Sequence, residues 1–179
     1  MNFEEKTLKS EIVYQGKIIR VYRDEIELSN GMKSFREVAQ LSGGVVILAI
    51  KEDEILFVQQ YRYPIKNTIF ELPAGKLEKD EAPLNAAKRE LEEETGYQAK
   101  NWKSLGFINP SAGFCDEVLH LYLAQDLTFT KQHPDEGEII EASTIKIKKV
   151  LEMIQNGEIN DAKTICAISR TIIDGVIKL

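Results

Sequence analysis

The apolar pattern of the first forty residues predicts strands joined by a tight turn. Apolar and polar residues alternate from Arg20 to Leu28, Ser29-Asn30-Gly31 is a strong turn signal, and Phe35 to Leu41 can form the return strand. This hairpin carries too few apolar residues for a core of its own. Residues 1–42 are therefore expected to form a small N-terminal β subdomain that packs on the main domain or on a second subunit.

The pattern of residues 43–179 predicts one larger domain of mixed strands and helices. Helical spacing of apolar residues marks Lys148 to Gln155 and a last helix that begins at Asn160. Strands and helices do not alternate regularly, which favours an α/β fold with a mixed sheet over a doubly wound fold. The predicted strands are Val45 to Ile50, Ile55 to Gln59, Ile69 to Leu72, Trp102 to Ile108, Glu117 to Ala124 and Ile139 to Ile147.

Another helix is expected within the run from Gly75 to Tyr97. Asp80 can cap its start, Pro83 suits its first turn, and Gly96 is a typical left-handed stop. Local signals therefore place both ends of this helix.

The last turn of this helix is crowded with carboxylates. Glu92, Glu93 and Glu94 lie at the negative end of the helix dipole. Glu90 faces Glu94 at i,i+4, and such a like-charged pair costs roughly 0.2–0.5 kcal/mol. A divalent cation bound between the carboxylates would remove the conflict, and hard oxygen ligands favour magnesium or manganese over zinc.

The same run resembles the Nudix box of the Nudix hydrolases. That box reads glycine, five residues, glutamate, seven residues, then arginine-glutamate-aliphatic-x-glutamate-glutamate-x-glycine-aliphatic. The matching positions are Gly75, Glu81, Arg89, Glu90, Leu91, Glu93, Glu94 and Gly96, with Tyr97 in place of the final aliphatic residue. The resemblance covers the chain from roughly residue 43 to the C-terminus. It implies an α/β/α sandwich with a mixed sheet and a metal-dependent pyrophosphate hydrolase.

The resemblance also implies how the box residues work. Mg²⁺ is the expected metal, with Mn²⁺ as the alternative. Glu93 would be a ligand or the partner of one. Arg89 would pair with Glu81 or Glu93, with contact to a substrate phosphate as the alternative. The expected ligands are the main-chain carbonyl of Ala74 and the carboxylates of Glu90 and Glu94.

A general base is expected on a loop outside the ligand set. The segment His133 to Glu138 offers three carboxylates, a proline and a glycine immediately before an apolar strand. Taken alone, it is typical of a solvated acidic loop. Because ADP-ribose-cleaving Nudix hydrolases place a catalytic glutamate in a loop of this kind, the resemblance predicts Glu138 as the base, with Glu136 as the second choice.

Segments outside the box resemble the ADP-ribose pyrophosphatase branch of the family. Gln59 to Pro64 followed by Glu71 to Gly75 is similar to the segment that precedes the box in that branch. Arg62 would then contact the substrate phosphates, and Arg36 with Glu37 would reach the substrate of a neighbouring subunit. The structural alternatives are a surface arginine at a strand end and a cross-strand ion pair.

One loop departs from that branch. Ser111 to Phe114 carries Ala112 where the branch has a proline, and Pro110 stands two residues earlier. A nucleotide sugar or another ADP-linked compound therefore stays open as the substrate.

The expected reaction is cleavage of ADP-ribose to AMP and ribose 5-phosphate. The alternative within the same chemistry is hydrolysis of other nucleoside-diphosphate sugars. An alternative of another class is a module that senses ADP-ribose without cutting it, which the intact box carboxylates disfavour.

Composition and charge restrict the partners. The net charge is −6 and no Lys/Arg cluster is present, which disfavours nucleic acid as a partner and RNA decapping as a reaction. The sequence shows no secretion signal and no apolar stretch near the roughly 20 residues that span a bilayer. Cys115 and Cys166 lie in no CxxC pattern, so a reducing cytoplasm is expected. The family resemblance implies a homodimer with the N-terminal strands at the interface.

Overall fold

Ten strands and three α-helices make up the described part of the chain, residues 3–178, in a computed structural model. The ends of the two predicted domains, Met1, Asn2 and Leu179, lie outside the described residues. The strands are β1 (Lys6–Gln15), β2 (Arg20–Glu27), β3 (Lys33–Gln40), β4 (Gly44–Lys51), β5 (Glu54–Arg62), β6 (Asn67–Glu71), β7 (Ala74–Lys76), β8 (Tyr97–Ile108), β9 (Leu119–Phe129) and β10 (Ile140–Lys146). The helices are α1 (Pro83–Thr95), α2 (Ile147–Gln155) and α3 (Ala162–Ile173). Within residues 3–178, no helix is both long and apolar enough to cross a membrane.

The chain divides into two units, and the first contains the N-terminal strands. It comprises the residues up to Gly43 together with residues 109–118, and its antiparallel sheet has the order β1-β2-β3. The predicted hairpin is present as β2 and β3, and β1 adds a third strand that the hairpin prediction did not include. Residues 109–118 join this unit through backbone bonds, since Ala39 N–H donates to Phe114 O at 2.7 Å and Asp116 N–H donates to Ala39 O at 3.2 Å.

The second unit comprises residues 44–108 and the chain from Leu119 onward. Its sheet has the order β10-β5-β4-β9-β8, with β6 paired to β5 and β7 paired to β4. The pair β4–β9 is parallel and the other pairs are antiparallel. The mixed sheet predicted from the sequence is confirmed.

Strand β4 explains why its sequence is a continuous apolar run. Successive side chains of a strand point to opposite faces of the sheet. Val46, Leu48 and Ile50 pack in the core that includes residues of α2 and α3, whereas Val45 and Ile47 pack in the core that includes residues of α1. Both faces of the sheet are therefore covered by helices, as in the expected α/β/α sandwich.

Two predicted helix starts are wrong by about two residues. Asp80 does not cap α1, because its backbone lies in the left-handed region at φ +61° and Ala82 occupies the N-cap position without a side-chain bond. The carboxylate of the next residue, Glu81, accepts hydrogen bonds from Arg89 and from the backbone N–H of Glu78. The last helix is capped by Asp161, not begun by Asn160, since the Asp161 carboxylate accepts the backbone N–H of residue 164 at 3.0 Å.

The predicted C-terminal end of α1 is correct. Gly96 has φ +75° and its N–H donates to Glu92 O at 2.8 Å. A side chain at Gly96 would lie 2.6 Å from the backbone nitrogen of Gln132, so glycine is required both for the backbone conformation and for space. The chain after β9 therefore passes directly over the end of the acidic helix.

Candidate active site

The box glycine makes room for a carboxylate. Gly75 lies in β7, paired with Val45 of β4, and a Cβ atom at Gly75 would fall 1.9 Å from the carboxyl carbon of Glu90. The side chain of Glu90 thus rests directly on the backbone of β7. Gly75 is required here because of this contact, since its φ is not in the left-handed region.

Glu94 is buried beneath the same strand. It is 4% exposed, and its Oε2 atom accepts the backbone N–H of Ala74 at 2.9 Å. Burial raises the pKa of the Glu94 carboxyl to about 8, against the lowering effect of the Ala74 bond. Burial also raises the pKa of Glu90, partly offset by its bond to Arg89. At both carboxyl groups, the effect of burial on the pKa therefore outweighs the effect of the hydrogen bonds that stabilise the charged form.

Arg89 organises the remaining box carboxylates. Its Nη1 atom donates to Glu90 Oε1 and to Glu93 Oε2, both at 2.8 Å. Its Nη2 atom donates to Glu81 Oε2 at 3.0 Å and to Lys76 O at 3.2 Å. Arg89 was expected to pair with Glu81 or with Glu93, and in the structure it forms ion pairs with both. Part of the charge conflict that the sequence shows is thus relieved by the chain itself.

The acidic loop begins on the end of α1. His133 N–H donates to Glu93 O at 3.0 Å, and the side-chain amide of Gln132 donates to Glu94 O at 2.7 Å. These bonds satisfy carbonyls that a helix end leaves without partners. Neither bond could be predicted from the sequence, because a glutamine and a backbone N–H form no recognisable motif.

The two candidate bases lie on this loop, and both are exposed. The charge of Glu138 is among the effects that raise the pKa of Glu90 and of Glu94, after burial as the largest. Glu138 is therefore within electrostatic reach of the carboxylates of α1.

Arg62 lies at the end of β5 and is paired with a residue that sequence reasoning missed. Its Nε and Nη2 atoms donate to the two carboxylate oxygens of Glu71 at 2.6 and 2.9 Å. Glu71 is fully buried, whereas the side chain of Arg62 keeps 39% of its surface exposed. Glu71 thus holds the guanidinium group of Arg62 in place, while part of the Arg62 side chain stays exposed to solvent.

Arg36 and Glu37 lie on β3, in the unit that does not contain the box. Arg36 pairs with Glu5, and its Nε atom donates to Glu5 Oε2 at 2.9 Å. Glu37 is exposed and stands opposite Arg23 of β2. The contacts described for Arg36 and Glu37 are thus with residues of the first unit.

The residues of the second unit fit a divalent cation. The carboxylates of Glu90 and Glu94 lie against the backbone of Ala74 and Gly75, and burial raises the pKa of both. Hard oxygen donors of this kind are the ligands that Mg²⁺ prefers. Among the described residues, no three acidic, histidine or cysteine side chains form a ready-made metal cage. The proposed donor set needs only two side chains, because the third donor is a main-chain carbonyl.

Comparison with known proteins decides the family. A profile described as NUDIX domain matches residues 40–168, well over half of the chain. The chain belongs to the Nudix hydrolase family. A second profile, described as a nucleoside diphosphate sugar hydrolase N-terminal domain, matches residues 5–38 of this Nudix hydrolase.

Two relatives and one solved structure resemble this Nudix hydrolase over most of its length. It is 42% identical to an ADP-ribose pyrophosphatase of Bacillus subtilis (strain 168), over 93% of this chain and 92% of the relative. It is 41% identical to a methanol dehydrogenase activator of Bacillus methanolicus, over 93% of this chain and 91% of the relative. The crystal structure of an ADP compounds hydrolase covers 100% of both chains with a TM-score of 0.87 at 20% identity, which confirms the fold.

The contact between Gly75 and Glu90 generates a testable prediction. Gly75→Ala places a methyl group where the Glu90 carboxylate lies, so this side chain must rotate away. We expect kcat/KM for the nucleoside diphosphate substrate to fall on the order of 10²-fold, as for a misplaced active-site group. The melting temperature should change little, because the displaced atoms are the far end of a flexible side chain. A variant with wild-type kcat/KM would show that the position of Glu90 is unimportant.

Proposed function

We propose that this Nudix hydrolase cleaves the pyrophosphate bond of ADP-ribose, giving AMP and ribose 5-phosphate, with Mg²⁺ as its metal and Mn²⁺ as the alternative. The observation that carries the proposal is the burial of Glu94 against Ala74 beside the Glu90 carboxylate. The relative that is named ADP-ribose pyrophosphatase supports the choice of substrate.

In this proposal, some box residues hold the cation and others keep those ligands in position. The Ala74 carbonyl, Glu90 and Glu94 would hold the cation, which when bound neutralises phosphate charge and polarises water. Arg89 keeps Glu90 and Glu93 in place through their carboxylates. These residues therefore set the geometry at the diphosphate.

Residues outside the helix supply the remaining roles. Glu138 would accept the proton of the attacking water, with Glu136 as the second choice, and the charge of Glu138 acts on Glu90 and Glu94 of α1. Arg62, whose side chain is partly exposed, would contact a phosphate. Arg36 and Glu37 would contact the substrate of a neighbouring subunit, by analogy with the ADP-ribose pyrophosphatase branch.

A second candidate substrate class is that of nucleoside-diphosphate sugars. The match of residues 5–38 to a nucleoside diphosphate sugar hydrolase N-terminal domain favours it, and so does Ala112 in the loop that departs from the ADP-ribose branch. A module that binds ADP-ribose without cutting it is less well supported, since Glu90, Glu93 and Glu94 are all retained.

Product identification separates these functions. The purified protein is incubated with ADP-ribose, ADP-glucose and GDP-mannose, each with Mg²⁺ and with EDTA, and the products are resolved by ion-exchange chromatography. We expect AMP and ribose 5-phosphate from ADP-ribose, at the highest kcat/KM and only with Mg²⁺. Faster cleavage of a sugar nucleotide would replace the substrate, and binding of ADP-ribose without any product would support the sensing module.

The metal site has a test that does not depend on turnover. Glu94→Gln keeps the shape of the side chain and an oxygen that can accept the Ala74 N–H, but it removes the charge. We expect activity to fall by at least about 10- to 100-fold, the usual cost of disturbing a metal site. Mg²⁺ should raise the melting temperature of the wild type by binding to the folded state, and should not raise that of Glu94→Gln. Equal Mg²⁺ responses in the two proteins would contradict the assignment of Glu94 as a ligand.

We also propose that the protein is a homodimer held through the N-terminal strands. Every residue of β1 is exposed, and Ile12, Val13 and Tyr14 each expose half or more of their surface. Apolar side chains in this number on one strand are typical of an interface.

Sedimentation equilibrium tests the dimer. We expect a mass about twice that of the 20.3 kDa chain, and a shift toward the single-chain mass for Ile12→Glu, which puts a charge into the apolar surface. Circular dichroism shows whether the variant keeps its fold. A wild type that sediments as one chain at all concentrations would overturn the proposal.

A further inference from the structure

The strand connection that leads into the box is held from a distant helix. Leu72 N–H donates to the hydroxyl oxygen of Thr164 at 2.9 Å, and this bond joins positions 92 residues apart in the chain. Both residues are fully buried. The hydroxyl proton of Thr164 is directed to Asp161 Oδ2 at 2.7 Å, which leaves a lone pair on the oxygen for Leu72. The orientation of this hydroxyl is thus set by the cap of α3.

A second contact from α3 holds the preceding residue. Lys163 donates to the buried carboxylate of Glu71, and Lys163 also pairs with Asp161 Oδ1 at 3.0 Å. The other partner of Glu71 is Arg62, through two hydrogen bonds. Arg62, Glu71, Lys163 and Asp161 therefore form one connected set of ion pairs. Each of the four charges has a partner of opposite sign, which a buried charge requires.

These contacts act on the proposed metal ligand through a short, stiff stretch of chain. Leu72 is separated from Ala74 only by Pro73, whose ring fixes φ. Pro73 O accepts Ile47 N–H at 2.8 Å, and Ala74 N–H donates to Glu94. A shift of Leu72 is therefore transmitted to the carbonyl of Ala74, because the intervening residue has little freedom to absorb it.

We propose that Thr164 and Lys163, at the start of α3, are positioning residues that fix the Ala74 carbonyl and the Arg62 guanidinium for the reaction. This inference rests on the proposed function for what is positioned, but the backbone contacts that it uses are independent of the substrate. Neither residue is among the proposed metal ligands or the proposed phosphate contacts. Their effect passes through Leu72 and Glu71.

The hydroxyl of Thr164 can be removed with little change of shape. Thr164→Val deletes its bonds to Leu72 and Asp161, whereas Thr171→Val is a matched control on the same helix. Thr171 is also fully buried, but its hydroxyl bonds only to the backbone carbonyls of Ala167 and Ile168, within α3. Both variants lose a buried hydroxyl, and only one of them loses a contact with the box segment.

Three measurements distinguish positioning from simple destabilisation. We expect Thr164→Val to bind Mg²⁺ about 10- to 100-fold more weakly than Thr171→Val, by calorimetry on the substrate-free protein. Amide hydrogen exchange at Leu72 and Ala74 should be faster in Thr164→Val alone. The kcat should fall in Thr164→Val, and Thr164→Ser, which keeps the hydroxyl, should restore it. If Thr164→Val does not fold, the comparison uses Thr164→Ala against Thr171→Ala.

The role of Lys163 has its own control. Lys163→Met removes the bond to Glu71, whereas Lys103→Met removes the exposed ion pair between Lys103 and Asp174 beside the other end of α3. We expect Lys163→Met to lower kcat/KM about 10-fold or more and to raise KM, because Arg62 loses its fixed partner geometry. Lys103→Met should match the wild type in both parameters.

The outcomes separate this inference from the proposed function. Equal Mg²⁺ affinity and equal exchange at Leu72 and Ala74 in Thr164→Val and Thr171→Val would overturn the positioning role, whatever the substrate. If the wild type hydrolyses no ADP-ribose but the two variants still differ in exchange and in Mg²⁺ affinity, the proposed function fails and the positioning role stands.

Discussion

The contact between the Glu94 carboxylate and the Ala74 peptide is the constraint on which the second unit depends. It joins the last turn of α1 to the short strand β7, and it places a carboxyl group where only 4% of the residue is exposed. A single neutral donor does not offset that burial, as the raised pKa of about 8 shows. Helix α1 and strand β7 therefore meet at a buried carboxyl group whose pKa is raised.

The other box carboxylates differ from Glu94 in that they form hydrogen bonds with Arg89. Glu93, Glu90 and Glu81 all reach its guanidinium group, whereas Glu94 does not. The planar fork of arginine suits several carboxylates at once. Three of the box acids are thus paired with the chain's own arginine, whereas Glu94, the most buried of them, accepts the neutral N–H of Ala74.

Sequence reasoning succeeded where the relevant residues are close along the chain. The spacing from Gly75 to Gly96 predicted the helix and its C-terminal stop, because helical periodicity and the left-handed glycine are local. The cap at Asp80 was wrong, since Asp80 has a left-handed backbone and Ala82 takes the N-cap position. The network of Glu71 with Lys163 was missed altogether, because nothing local indicates which strand residue a helix 92 positions later will meet. The same reason hid the pairing of β3 with residues 109–118, which only the folded chain brings together.

Chemistry and substrate choice have separate origins in this protein. Two relatives at 42% and 41% identity carry different names, an ADP-ribose pyrophosphatase and a methanol dehydrogenase activator, so overall similarity does not choose between them. The box residues that are proposed to bind the cation contact one another within the second unit. We expect the choice of substrate to depend on Arg36 and Glu37, which would reach the substrate of a neighbouring subunit, and on the loop with Ala112. Residues 5–38 match a different family profile from the box. Substitutions there should change which substrate is cut and leave the response to metal unchanged, because no metal-binding group is altered.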